Sequence, residues 1–215
     1  MERSTAVAVL CPSRYEYAAL DRARLAERGV TVLLSGMGKV RAAIGCHRLT
    51  ALRPGLKHIV LVGFAGGLTA SLGVGDVVEP LEVIEQDYCA EPFEEFPNSI
   101  RRKGGRLLGS VSVDALMLTQ DRFLTENPHR GGPLERRHPR ISCDMESYAV
   151  AAFCRETGLG CSIIKIVSDS ADANADHDFL KACRELSPKL NRIVQEAVEK
   201  LGARRSAVRA PKKRA

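Results

Sequence analysis

The chain has 215 residues, of which 45% are hydrophobic and 27% charged. This balance suits one soluble globular domain and excludes fibrous, low-complexity and intrinsically disordered classes. The formal charge of +6 is concentrated at one end: Arg204, Arg205, Arg209, Lys212, Lys213 and Arg214 stand without an acid between Gly202 and Ala215. Residues 1–201 therefore balance and present no basic nucleic-acid surface. We read 1–201 as the domain and 202–215 as a basic, disordered tail that touches RNA or an acidic partner weakly at most.

The seven cysteines form no CxxC pair and several sit in apolar runs, the pattern of free thiols in a reducing compartment. The N-terminus lacks a secretory pattern, and no apolar run approaches the roughly 20 residues of a membrane span. The expected location is cytoplasmic, with no membrane association. The five histidines show no metal-ligand spacing, so no metal is expected.

The elements follow in order. Thr5 to Leu10 is an apolar run suited to a buried strand, Tyr15 to Arg28 has helical spacing, and Val30 to Leu34 is a second strand. After the Gly36-Met37-Gly38 turn, Lys39 to Leu52 reads as a helix. His58 to Gly63 is a third strand that runs into Phe64-Ala65-Gly66-Gly67. Asp76 to Ile84 is a fourth strand, and Leu116 to Thr119 belongs to another. Met145 to Glu156 is a helix and Cys161 to Val167 a buried strand. Asp178 to Leu201 is a long helix with Leu180, Cys183, Leu186, Leu190, Ile193, Val194 and Ala197 as its apolar stripe and a kink at Pro188. The stretch from Glu91 to Gly105 reads as a loop that covers a site.

Strands that alternate with helices, as continuous apolar runs, predict a single-domain three-layer α/β/α fold around a central mixed, mainly parallel sheet. In such sheets ligands bind at the carboxyl ends of the strands. Three clusters fall there. The first is Gly63-Phe64-Ala65-Gly66-Gly67-Leu68 followed by Leu72-Gly73-Val74-Gly75-Asp76, whose glycines let a ligand approach the backbone but lack the GxGxxG order of a dinucleotide site. The second is Cys143-Asp144-Met145-Glu146-Ser147, two acids at a helix start. They serve either as caps or as acceptors for a sugar diol with Met145 as an apolar floor. The third is Val167-Ser168-Asp169-Ser170-Ala171-Asp172, where an aspartate at the mouth of an apolar strand is either a turn residue or a general acid with a raised pKa.

The order GFAGGL, LGVGDVV, DMES, VSDSAD, together with SGMGKV, resembles the nucleoside phosphorylase and nucleosidase superfamily, and within it the 5′-methylthioadenosine/S-adenosylhomocysteine nucleosidases. The resemblance implies that Asp169 protonates a purine at N7 and that Glu146 holds the ribose hydroxyls, with Met145 packed on the sugar. Glu16, in Arg14-Tyr15-Glu16-Tyr17, aligns with the glutamate that helps to activate water. Phe123 stacks on the base and the backbone of Leu124 reads its edge, while Phe64, Ala65, Gly66 and Ser168 complete the substrate site. The family uses no cofactor and forms homodimers or higher homo-oligomers. Phosphorylases of the superfamily carry an arginine where this chain has Leu61, which with Glu16 favours water over phosphate as the nucleophile. Arg14 stands close enough to Glu16 to serve phosphate instead. Phe64 replaces a small residue and Lys165 an arginine, and both leave the 5′ substituent open. The expected activity is therefore hydrolysis of the N-ribosidic bond of an adenosine-type nucleoside. A phosphate-dependent phosphorylase is the alternative, and a non-catalytic nucleoside- or RNA-binding protein the third reading.

Overall fold

The computed structural model of the chain describes residues 6–88, 98–103 and 105–209, with side chains of the final helix described to residue 203. Its elements are β1 (Val7–Cys11), α1 (Arg14–Ala19), α2 (Arg22–Glu27), β2 (Thr31–Leu34), α3 (Lys39–Leu52), β3 (His58–Gly67), β4 (Val77–Val78), β5 (Glu82–Glu85), β6 (Ser99–Arg101), β7 (Leu116–Thr119), α4 (Pro133–Arg137), β8 (Ile141–Asp144), α5 (Ser147–Thr157), β9 (Gly160–Asp169), α6 (Ala175–Glu185) and α7 (Ser187–Arg209).

All the strands join one mixed sheet. Its β1–β2, β1–β3, β3–β9, β5–β7 and β7–β8 pairs are parallel, and its β3–β8, β4–β9 and β5–β6 pairs antiparallel. Side chains alternate along each strand, so each central strand feeds two cores. Val7, Val9, Val60, Val62, Phe64, Ile164 and Ile166 face Leu190, Ile193, Val194 and Ala197 of α7. On the opposite face Ala8, Leu10, Ile59, Leu61, Ala65 and Ile163 meet Ala42, Cys46 and Leu49 of α3 and Val150, Ala151 and Cys154 of α5. Burial on both faces explains why these strands read as unbroken apolar runs, and gives the expected three layers.

β3 is the pivot. Its first residues pair with β1, His58 to Gly66 pair with β9 with a register shift at Ala65/Gly66, and Gly66 and Gly67 pair with Cys143 and Ser142 of β8. Gly66 thus lies between Cys143 on one side and Asp169 on the other. A Cβ there would stand 2.9 Å from Cys143 Sγ and 3.1 Å from Asp169 Oδ1, so only glycine lets the three strand ends converge this closely.

Three expected elements are each two in the structure. The helix over 15–28 is two helices. Leu20 is extended and Asp21 caps α2 by accepting the Arg24 amide at 3.0 Å. The strand over 76–84 is also two, for β4 joins β9 whereas β5 joins β7, and the intervening Pro80 has no amide to give a ladder. The long C-terminal helix is α6 and α7, with Pro188 in the first turn of α7, where a missing amide costs nothing. α7 continues to Arg209, eight residues beyond the expected domain end at 201, and residues 210–215 lie outside the described residues. Strands β6 and β8 and helix α4 were not expected from sequence. Of the expected loop over 91–105, residues 91–97 and 104 lie outside the described residues, and Ser99–Arg101 is β6, paired with β5. Among the described residues, no helix is long and apolar enough to cross a membrane.

Candidate active site

A cavity of about 380 Å³ opens where β3, β8 and β9 end, and all ten residues assigned from sequence line it: Glu16, Phe64, Ala65, Gly66, Phe123, Leu124, Met145, Glu146, Ser168 and Asp169. Each carboxylate is fixed by a different local device.

Glu16 is held by the capping box of α1. The Ser13 hydroxyl accepts the Glu16 amide at 3.2 Å, and the Ser13 amide returns a 2.6 Å bond to Glu16 Oε2. The other oxygen, Oε1, accepts the Phe64 amide at 2.9 Å. A Cβ on Gly63 would fall 2.2 Å from Oε1, which explains the glycine before Phe64. A helix cap and a strand thus pin one buried carboxylate at both oxygens.

The two acids of the DMES element are held differently: Glu146 occupies the N-cap position of α5 without a side-chain cap bond, and Asp144 makes that bond instead. Asp144 is the cap: it accepts the Ser147 amide at 3.1 Å and hydroxyl at 2.6 Å, and the Thr119 hydroxyl at 2.9 Å. Glu146 instead accepts the Gly38 amide at 3.0 Å from the SGMGKV turn. Lys165 lies beneath both and is fully buried, with Nζ 2.9 Å from Asp144 Oδ2 and 3.3 Å from Glu146 Oε2. Burial alone would lower the Lys165 pKa, but Asp144, Glu146 and Glu16 reverse this and hold it above the usual lysine value. One ammonium therefore serves three carboxylates. Glu146 has the weaker of the two contacts. Its burial raises its pKa, and the pull of Lys165 is offset by Asp144 and Glu16, so that it rises to about 7.

Asp169 ends β9. Burial pushes its pKa up; the Ser168 hydroxyl at 2.6 Å and the Ala171 amide at 2.9 Å pull it down, and Asp178 and Asp172 add to the rise. Ala171 holds that amide in place from a left-handed conformation, φ 49°, which alanine occupies at a cost of order 1 kcal/mol. The Ser168 hydroxyl is also 3.2 Å from the Ala65 carbonyl, which ties the acid to the glycine-rich end of β3.

The facing wall is aromatic. Phe179 of α6 meets Tyr15, Phe64 and Phe123 edge-on, with ring centroids 6.4, 6.1 and 5.9 Å apart. Met37 and Leu180 stand at the mouth, about half exposed. Leu180 is therefore a pocket residue and not part of the buried stripe expected from its spacing, whereas Cys183, Leu190, Ile193, Val194 and Ala197 are buried. Sequence reading missed Phe179. Its only signal was an aromatic ring in the first turns after the SDSAD cluster, in a chain with 5% aromatics. It also missed the contact of Lys165 with both acids, which needs the register of β9 against β3 and β8.

Two residues weighed for phosphate are placed elsewhere. Leu61 is buried in the core beneath α3 and α5. Arg14 stacks on Tyr15, 5.2 Å from the ring centroid, and lines an adjoining groove and not this cavity. Among the described residues, no group of three or more His, Cys, Asp or Glu side chains is arranged to hold a metal ion.

Comparison with known proteins follows the same lines. The 5′-methylthioadenosine/S-adenosylhomocysteine nucleosidase of Shewanella frigidimarina is 28% identical over 173 residues, 72% of this chain and 74% of that one. The enzyme of the same description from Chromohalobacter salexigens is 29% identical over 191 residues, 80% of each. The crystal structure of the Neisseria meningitidis nucleosidase in complex with methylthio-immucillin-A superposes with a TM-score of 0.75 at 25% identity, covering 89% of this chain and 97% of that one. The family model for the phosphorylase superfamily matches residues 20–199, and with the strand order and the convergence at Gly66 this places the chain in the phosphorylase superfamily.

Proposed function

We propose that the chain is a purine nucleosidase that hydrolyses the N-ribosidic bond of an adenosine-type nucleoside, of the methylthioadenosine and adenosylhomocysteine class, to free base and sugar. The observation that carries this reading is the placement of three buried carboxyl groups on one cavity, Asp169, Glu146 and Glu16, each in a different electrostatic setting. Cleaving a ribosyl C–N bond builds positive charge on the sugar and negative charge on the departing purine. Asp169, with its raised pKa, donates a proton to N7 and neutralises the leaving group, a contribution of roughly 10²–10⁴ in rate. The Ser168 and Ala171 donors then stabilise the carboxylate left behind. Glu146 accepts the ribose hydroxyls, and its negative charge favours the oxocarbenium-like sugar. Met145 packs on the sugar, Phe123 on the base, and Leu124 presents its backbone to the base edge. Glu16 orients the attacking water. Lys165 is a positioning residue: it is engaged with Asp144 and Glu146, and it keeps Glu146 where the sugar meets it.

Water is favoured over phosphate because Lys165 is occupied by two carboxylates and position 61 is a core leucine. The six described cysteines are free thiols, which supports a cytoplasmic setting. Met37, Val40 and Ile44 form an exposed apolar run from the pocket mouth along α3, which supports a homodimer or higher homo-oligomer. The chemistry resides in residues 1–201, and the basic end beyond them is peripheral.

The test is to incubate the protein with methylthioadenosine, adenosylhomocysteine, adenosine and inosine, with and without phosphate, and to identify the sugar. Free sugar in the absence of phosphate is expected, unchanged on removal of residues 202–215. A sugar 1-phosphate formed only with phosphate would make the chain a phosphorylase, and no cleavage of any of the four would end the enzymatic reading.

A further inference from the structure

At the end of β9 opposite Asp169, a tight turn brings Cys154 and Cys161 together. Cys154 lies in the last turn of α5. Gly158 then takes a left-handed conformation, φ 68°, and the Leu159 amide returns to the Cys154 carbonyl at 2.9 Å, so that β9 runs back along the helix and brings Cys161 against it. The two thiols line the same groove and lie close enough to interact. Both line a groove of about 270 Å³ whose rim carries Arg101, Arg102, Lys103 and Arg155. Arg102 is clamped there by the Pro80 carbonyl at 2.7 Å and the Cys161 carbonyl at 2.6 Å. Arg101 faces Glu82 and Arg155 faces Glu156.

The two thiols differ. Cys154 is buried, whereas Cys161 is half-buried at the groove. The hydrogen bond from Cys154 holds the Cys161 thiol below the usual range, against its burial and with help from Arg102. The same contact and burial push Cys154 up. Burial also raises Cys11, Cys46, Cys143 and Cys183. Cys46, on α3, lies within electrostatic range of Cys161 but is fully buried and not in contact with it through a hydrogen bond.

We propose that Cys161 and Cys154 form a peroxide-reactive dithiol site, with Cys161 as the attacking thiol and Cys154 as its resolving partner. The Cys161 thiolate attacks the peroxide O–O bond; one oxygen is transferred to sulfur as a sulfenic acid and the other leaves as alkoxide or hydroxide and takes a proton. The Cys154 sulfur then displaces that sulfenic oxygen, which departs as water with the Cys154 proton. Two thiols are oxidised to one disulfide and the peroxide is reduced. The bond ties α5, which begins beside Glu146, to β9, which carries Lys165 and Asp169.

The full chain treated with equimolar hydrogen peroxide is expected to lose about 2 Da, and alkylation under denaturing conditions should then add two fewer groups than to the untreated chain. Tryptic peptide 156–165, whose only cysteine is Cys161, should then be found linked to Cys154. In Cys154→Ala the link cannot form, and a sulfenic acid trapped by dimedone is expected on Cys161. The proposal is overturned if both thiols remain alkylatable in the wild-type protein, if another cysteine is oxidised first, or if the adduct in Cys154→Ala lies elsewhere. The readout is on the protein itself and does not depend on nucleosidase turnover.

Discussion

The two walls of the cavity are built on opposite plans. The wall at the ends of β3, β8 and β9, with the starts of α1 and α5 set against it, presents Glu16, Asp144, Glu146 and Asp169, each buried and each held by at least two donors. The wall formed by Phe123 and α6 presents Phe123, Phe179 and Leu180, half-buried or exposed, with the exposed Asp176 at its edge and the two rings meeting edge-on. Fixed charge on rigid strands costs no rearrangement as the sugar becomes positive. An apolar wall open to solvent fits a part of the substrate that enters and leaves. On the proposed function, the difference separates a side for chemistry from a side that selects and retains the nucleoside, and each substitution below tests that division.

The largest effect is expected from the acid. Asp169→Asn keeps the Ser168 and Ala171 neighbourhood but has no proton to give, and turnover should fall by roughly 10²–10⁴. Nucleoside affinity, measured by calorimetry, should change little. Full activity in this variant would remove Asp169 from the mechanism. Next is the buried cation. Lys165→Met leaves Asp144 and Glu146 without their counter-ion, and a loss of about 3–5 kcal/mol in unfolding free energy is expected. Lys165→Arg should recover part of the stability and of kcat. A stable, active Met variant would show that the carboxylate wall is held together without the ammonium.

A smaller effect has an unusual sign. The pKa of Glu146 rises from an ordinary 4.5 to about 7 on folding. Below pH 4.5 both states are protonated and the favourable difference is fully present. Between 4.5 and 7 the unfolded chain loses its proton while the folded one keeps it, so stability falls as pH rises, and above 7 the loss is complete. Glutamine does not titrate. The stability of Glu146→Gln relative to wild type should therefore increase from pH 5 to pH 8, by up to about 3 kcal/mol, while its kcat/KM falls. A constant gap between the two proteins in urea titrations at pH 5 and 8 would mean that Glu146 is not the carboxylate in excess.

The same two walls show what a sequence discloses. The layers, Glu146 and Asp169 were legible because unbroken apolar strands imply burial on both faces, and because acids at strand ends fall where open sheets bind ligands, whereas Glu16 on α1 was picked out by the resemblance alone. Helix α3 was read to the residue, since Gly38 and Arg53 bound a clean helical segment. Strand β8 was not, because Ile141–Asp144 is a four-residue run within Arg-, Pro- and Ser-containing chain, and its place is set by pairing with β3 and β7. The aromatic wall was half-hidden for the same reason. Phe123 stood in a recognisable motif, but Phe179 acts through three rings from distant segments, and nothing local distinguishes it from a core residue. Helical spacing made Leu180 look buried because a stripe shows which side chains share a face, not whether a neighbour covers all of that face.

Phe179 is also where the division between the walls can be tested most finely. The ring meets three others, at contacts worth about 0.5–1.5 kcal/mol each between aromatic pairs. Part of this is already lost to solvent, because Phe179 is only half-buried. Phe179→Ala should therefore raise KM for methylthioadenosine roughly tenfold, about 1.4 kcal/mol, with kcat nearly unchanged and Phe179→Tyr close to wild type. The pH at which rate is lost as Asp169 deprotonates should stay fixed if the ring only holds substrate. α6 also carries Asp178, whose charge adds to the raised pKa of Asp169. If removing the ring lowers kcat and shifts that limb instead of KM, the aromatic wall sets the position of α6 and through it the acid, and the two walls are one device.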